Sequence, residues 1–273
     1  MPFAQLSEAE LQRIATAIRR SIITMLTHAQ SGHPAGALGM SDVVTALYYT
    51  VLNHKPENPT WSERDFVVLS NGHICPVLYA VLARTGYFSQ TELMSLRKMH
   101  SRLQGHPHKG SLPGVENTSG PLGQGLSQAA GLALGHKMDG KSNRIFCLMS
   151  DGEHQEGQTW EAYLFAAKNK LKNLTVLIDR NYIQIDGYTE EIMPLDPLKE
   201  KIQSFGWEVR EIDGHSFSQI IPALTEQHSE KPTAIICHTT PGKGVSFMEN
   251  KPEWHGKPPT HTEAEQALKE LGL

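Results

Sequence analysis

Asp151-Gly152 and Asn181 are the residues whose types and spacing point most directly to chemistry. They lie about thirty positions apart, and each follows a short apolar run: RIFCLMS (Arg144 to Ser150) and LTVLID (Leu174 to Asp179). Short apolar runs of this kind read as buried strands. Between them, Glu156 to Leu171 carries Ala, Leu, Phe and Tyr at helical spacing. Strand, helix, strand is a βαβ unit with parallel strands and a right-handed crossover. Both residues therefore belong just past the carboxyl ends of neighbouring strands, the edge where open α/β sheets bind ligands. Two hard oxygen donors, with a loop carbonyl at Ile183, suit Mg²⁺, which takes a few oxygens from protein and the rest from phosphates and water. Gly152 would let backbone approach a diphosphate closely. Taken singly, Asp151 could be a helix cap and Asn181 a turn residue. Their pairing at matched strand ends favours a metal–diphosphate site.

Histidine is the other unusual feature: the chain has 14, several beside Gly or Pro. Imidazoles on loops are candidates for binding and proton transfer. His33 sits in SGHPAGA, where the bland alternative is a cap on the preceding helix. His73 directly follows the strand-like run DFVVLS (Asp65 to Ser70). His106 lies in a polar stretch from Met99 to Pro121, a connection long enough to suggest a purpose. His255 lies in the irregular segment GKGVSFMENKPEWHGKPP (Gly242 to Pro259). His108 and Lys109 read as solvated. The glycines of Gly120-Pro121-Leu122-Gly123 leave room for a cofactor ring against backbone.

The elements that must position these residues alternate. Ser7, with Glu10 three residues on, forms a capping-box pattern and opens a helix to about Ala29. A second helix is expected from Ser41 to Leu52, and others over Pro76 to Arg84, near Leu93, and from Gly123 to His136. Ile185 to Pro197 reads as an extended excursion. Lys199 to Phe205, Ser216 to His228 and Glu263 to Leu271 read as helices, and Trp207 to Gly214 and Pro232 to Thr239 as strands. Such alternation predicts a single α/β domain over residues 1–273, with a mainly parallel sheet covered by helices on both faces.

Bulk properties narrow the class. With 39% hydrophobic and 20% charged residues, neither disorder nor a fibre is indicated. A net charge of −4 without a basic block argues against nucleic acid or an anionic membrane as partner. Cys75, Cys147 and Cys237 are odd in number and widely spaced, as expected of reduced thiols in a cytoplasmic protein. No cleavable signal segment or long apolar span stands out.

Asp-Gly, a helix, then a strand leading to Asn resembles the thiamine diphosphate fingerprint, with Ser150 in place of that fingerprint's first Gly. SGHPAGALGMSD (Ser31 to Asp42), LSNGH (Leu69 to His73), GHPHKGSLPGVENTSGPLGQGLS (Gly105 to Ser127) and the His255 segment follow in the same order as in the amino-terminal half of transketolases. The resemblance covers nearly the whole chain. It implies a thiamine diphosphate-binding fold and transfer of a two-carbon ketol unit from a ketose to an aldose, usually as phosphates. It implies thiamine diphosphate and Mg²⁺ as cofactors, with Ca²⁺ or Mn²⁺ as substitutes. Asp151, Asn181 and the Ile183 carbonyl would hold the metal, and His73 and Gly152 the diphosphate. Gly120, Pro121 and Leu122 would lie near the thiazolium. Glu156 would help bridge the cofactor's environments, its alternative being a first-turn helix residue. His33, His106 and His255 would orient substrate hydroxyls or move their protons, His255 reaching between diphosphate and hydroxyls.

In the family, the carboxylic acid that activates the coenzyme comes from the next domain, as do the groups that recognise the sugar phosphate. The resemblance therefore implies half an enzyme. Its partner would be a carboxy-terminal subunit carrying the pyrimidine-binding domain, in an α2β2 assembly. Two alternatives stand beside this: the first subunit of a 2-oxoacid dehydrogenase or decarboxylase, against which the four histidines argue, and a non-catalytic cofactor-binding homologue. The deoxyxylulose-phosphate synthases are a fainter resemblance through GHPHK.

Overall fold

A computed structural model describes residues 6–226 and 230–273. Five strands form one parallel sheet: β1 (Phe66–Leu69), β2 (Ile145–Ser150), β3 (Leu174–Arg180), β6 (Glu208–Asp213) and β7 (Thr233–His238), in the order β1-β2-β3-β7-β6. Between β3 and β6 lies a two-stranded antiparallel ribbon of β4 (Ile183–Gln184) and β5 (Gly187–Tyr188). The helices are α1 (Glu8–Ala29), α2 (Ala35–Gly39), α3 (Ser41–Ala46), α4 (Cys75–Thr85), α5 (Gly125–Met138), α6 (Gly157–Lys168), α7 (Thr189–Ile192), α8 (Leu198–Ser204), α9 (Phe217–Thr225) and α10 (His261–Glu270).

Side chains alternate across a strand, and here β1, β2, β3 and β7 are buried on both faces. Val67, Leu69, Phe146, Leu148, Leu177, Ile235 and Cys237 join one core with residues of α1, α3, α4, α9 and α10. Phe66, Val68, Ile145, Cys147, Met149, Val176, Ile178, Ala234 and Ile236 join a second core with α5, α6 and α8. Burial on both faces is why β1, β2, β3 and β7 read as apolar runs, whereas the edge strand β6, Glu208–Asp213, is mostly polar and only partly buried. The sheet and its two helical layers match the expected architecture.

Local differences have local causes. SGHPAGA does not stay irregular: Pro34 precedes α2, five buried residues of Ala, Gly and Leu. The helix expected to Leu52 leaves α geometry at Leu47 and finishes as a π-helical turn, Leu47–Val51. The excursion from Ile185 to Pro197 holds the second strand of the ribbon and the short α7. Asp151 does not cap α6, because a 3₁₀ turn, Gly152–Gln155, intervenes and Glu156 is the residue before the helix. The expected end of a helix at His228 lies outside the described residues.

Candidate functional site

The register between β2 and β3 decides what meets at the sheet's carboxyl edge. Ser150 lies opposite Asp179, and the Asp151 amide donates to the Asp179 carbonyl at 3.1 Å. Asp151 is thereby held beside the residues that end β3. Its carboxylate is fully buried. Oδ2 accepts from the Tyr182 amide at 2.8 Å and from Arg180 Nη1 at 3.2 Å, and Oδ1 accepts from the Gly152 amide at 2.8 Å. Burial pushes its pKa up to about 6 against the pull of Arg180 and these donors. A buried carboxylate of raised pKa is the kind of group an adjacent cation returns to its charged form.

Asn181 is oriented by its neighbours. Its Nδ2 donates to Asp179 Oδ2 at 2.7 Å, and its Oδ1 accepts from the Ile183 amide at 3.1 Å. Asp179 therefore sets the amide's direction and leaves Oδ1 one free lone pair. Asp179 also accepts from the Thr239 hydroxyl. Burial foremost, with Asp151 nearby, pushes the Asp179 pKa up to about 7.

Above this edge is a cleft of about 370 Å³ lined by His33, His73, His255, Gly120, Leu122, Gly152, Glu156, Asn181 and Ile183, and also by Ser150, Gln155, Gln184, Ile185 and Asp186. A Cβ on Gly152 would touch only Gln184 among the described residues, at 3.6 Å, so the protein's own packing does not demand glycine there. The three histidines come from distant loops, yet their ring centroids lie 5.2–5.6 Å apart. Burial lowers the pKa of each, and His33 and His73 are lowered further by the neighbouring imidazoles; His33 falls to about 4. All three rings are thus neutral at pH 7. Nδ1 of His33 and Nδ1 of His255 are buried without a hydrogen-bond partner among the described residues. Unpaired buried nitrogens are costly, and a ligand with hydroxyl or phosphate oxygens would satisfy them.

Other expected residues sit at the margin. His106 is exposed and outside the cleft lining, but a Cβ added to Gly120 would lie 3.8 Å from its ring. Pro121 is exposed and also off the lining, while Glu156 is exposed on the cleft wall and makes no capping bond. Asp151 lies behind the wall rather than on it, since Gly152 and Asn181 line the cleft and Asp151 does not.

Three residues that sequence reasoning passed over hold the site together. The buried Glu153 accepts from Ser70 Oγ at 2.5 Å, from the Gly123 amide at 2.8 Å and from the Ser150 amide at 2.9 Å. It ties the end of β1, the glycine turn and the end of β2 to one carboxylate, and burial pushes its pKa up to about 7. Arg97 donates to Ser31 Oγ at 2.8 Å and to the Gly105 carbonyl at 3.1 Å, joining the loops that carry His33 and His106. Arg180 is 1% exposed and pairs with Asp151, Glu190 and Asp196. The only available signal was a charged residue at the end of an apolar strand or short helix, which usually marks a solvated end.

The family model described as the transketolase thiamine diphosphate-binding domain matches residues 10–273. One subunit of the apulose-4-phosphate transketolase of Actinobacillus succinogenes is 41% identical over 268 residues, 97% of either chain. One subunit of the 6-deoxy-6-sulfo-D-fructose transketolase of Clostridium sp. (strain MSTE9) is 41% identical over 266 residues, again 97% of each. The crystal structure of transketolase from Campylobacter jejuni superposes with a TM-score of 0.93 at 35% identity, covering 98% of this chain but 43% of that one. The chain thus spans nearly all of the two subunit relatives and less than half of the longer transketolase.

Proposed function

The chain belongs to the transketolase family, in its thiamine diphosphate-binding domain, and on that premise we propose that it is the diphosphate-binding subunit of a two-chain enzyme that transfers a two-carbon ketol unit from a ketose phosphate to an aldose phosphate. The observation that carries this reading is the meeting of Asp151 and Asn181 at neighbouring strand ends, beside a cleft into which three neutral histidines converge. The whole chain acts as one coenzyme-binding domain.

The residues present fit a metal-bound diphosphate. Asp151 Oδ1, Asn181 Oδ1 and the Ile183 carbonyl are a hard oxygen set, suited to Mg²⁺, Ca²⁺ or Mn²⁺. Gly152 leaves open space for phosphate oxygens, and His73 supplies an uncharged imidazole as donor to them. When bound, thiamine diphosphate supplies the carbon nucleophile that carries the two-carbon unit. Gly120 and Leu122 line the cleft and, with Pro121, would lie near its thiazolium ring. His33 and His255, neutral and unpaired at Nδ1 among the described residues, accept or donate hydrogen bonds to sugar hydroxyls and can move their protons; a well-placed acid–base group contributes about 10²–10⁴ in rate. His106, whose ring lies 3.8 Å from where a Cβ on Gly120 would sit, would meet the substrate with the coenzyme bound.

The second polypeptide brings the pyrimidine-binding domain and its activating acid, in an α2β2 assembly in the cytoplasm, serving pentose phosphate metabolism or a specialised sugar pathway. Two relatives of similar length that are named as subunits support a second polypeptide. Calorimetric titration with thiamine diphosphate, with and without Mg²⁺, should show metal-dependent binding. Ketol exchange should then require the companion polypeptide. Full exchange by the isolated chain would refute the two-chain reading, and CO₂ release from a 2-oxoacid without ketol exchange between sugars would refute the reaction.

A further inference from the structure

Arg180 is a buried charge at the edge of the site that the proposed chemistry leaves unused. Its guanidinium stacks at 4.2 Å over the Tyr182 ring and splits its donors between two groups of acceptors. Nη1 reaches Asp151 Oδ2 at 3.2 Å and Thr189 Oγ1 at 3.2 Å; Nη2 reaches Glu190 Oε1 at 2.6 Å and Asp196 at 3.0 Å. The Glu190 carboxylate in turn accepts from the amides of Leu195 and Asp196 at 3.2–3.4 Å. One rigid fork therefore joins Asp151 to the 189–196 segment, a bridge that a lysine's point charge could not make.

We propose that Arg180 is a positioning residue: it makes Asp151 a single-oxygen metal ligand and couples metal loading to the 189–196 segment through Glu190. The lone-pair count leads there. Oδ2 already accepts two bonds, from Tyr182 and Arg180, whereas Oδ1 accepts one, from Gly152. A carboxylate oxygen offers about two acceptor sites, so only Oδ1 has one left for a cation. A charge arriving on Asp151 is felt by Arg180, whose other edge holds the segment beside the cleft. The inference rests on the metal site proposed above and adds the residue that orients it.

The test is binding of Mn²⁺ to the full chain in the presence of thiamine diphosphate, with free Mn²⁺ read by electron paramagnetic resonance and folding followed separately by thermal melts. Residues that orient a metal ligand typically contribute 10–100-fold to affinity, and Arg180→Lys and Arg180→Met should weaken binding by about that factor. Glu190→Ala, at a side chain 33% exposed, keeps the test informative if Arg180→Met does not fold. It should weaken binding without touching the metal, Glu190→Gln should recover part of the loss, and combining Glu190→Ala with Arg180→Lys should add less than the two losses taken separately. Coupling is reciprocal, so Mn²⁺–thiamine diphosphate should slow amide exchange at Leu195 and Asp196 in the wild type and much less in Arg180→Lys. Wild-type affinity in Glu190→Ala, or strictly additive losses, would overturn the coupling while leaving the metal site in place. Failure of the wild type to bind Mn²⁺ with the coenzyme would instead overturn the site and this inference together.

Discussion

At Gly152 the demands of the fold and of the ligand separate. A methyl group there meets only Gln184 at ordinary contact distance among the described residues, so Gly152→Ala should leave stability within about 0.5 kcal/mol and weaken thiamine diphosphate binding; calorimetry and thermal melts on one sample check both. His33, His73, His154 and His255 behave differently, because burial lowers all four below the ordinary histidine pKa. The unfolded chain takes up protons as pH falls through 6.5, while the folded chain resists, His33 and His154 down to about 4. At these groups the unfolded state binds more protons, so the histidine share of stability is kept above pH 6.5 and lost on acidification towards 4. The buried carboxyls of Asp151, Glu153 and Asp179, pushed up to about 6, 7 and 7, act in the opposite sense. Melting temperature measured from pH 7 to pH 4 should fall less, or rise more, in His33→Asn than in the wild type, the difference between the two profiles isolating one histidine's share. His33, His73 and His255 were legible as residues beside Gly or Pro, and His154 was passed over; the shared neutrality of all four was not legible, since it depends first on burial by segments far apart in sequence.

Among the elements, the contact between the residue that follows β1 and the start of α5 is a tight constraint on the site. A Cβ on Gly125 would come within 2.4 Å of the Ser70 side chain, whose Oγ accepts the Gly125 amide at 3.0 Å. Gly125→Ala must push the start of α5 off the end of β1, and overpacking of this kind costs about 1–3 kcal/mol. It also displaces the glycine turn that Glu153 holds at Gly123. Denaturant unfolding should show the loss, and coenzyme binding should fall with it, unlike the clean separation expected at Gly152. Strands and long helices were readable because buried β-strands are continuous apolar runs and α1 carries its own capping box. The ribbon β4–β5 and helix α7 were not, being too short for periodicity to register.

Across the whole molecule, ligand and fold are linked. A coenzyme complex that binds only the folded state adds about 2.7 kcal/mol of stability at a hundredfold excess over Kd. Melting temperature should therefore rise with thiamine diphosphate plus Mg²⁺, and with neither alone to the same extent; an unchanged melt with both present would count against the site. Among the described residues, no helix is long and apolar enough to cross a membrane.

Local order in the chain determined a great deal by itself. Apolar runs, capping signals and the strand–helix–strand spacing were enough to put Asp151 and Asn181 at one sheet edge, because parallel strands joined by a right-handed crossover leave few other arrangements. Only the tertiary structure decided that Asp151 sits behind the cleft wall, that Asp179 turns the Asn181 amide, and that Glu153, Arg97 and Arg180 join the loops. Those outcomes depend on desolvation and on hydrogen bonds between residues far apart in sequence, which no short window of residues contains.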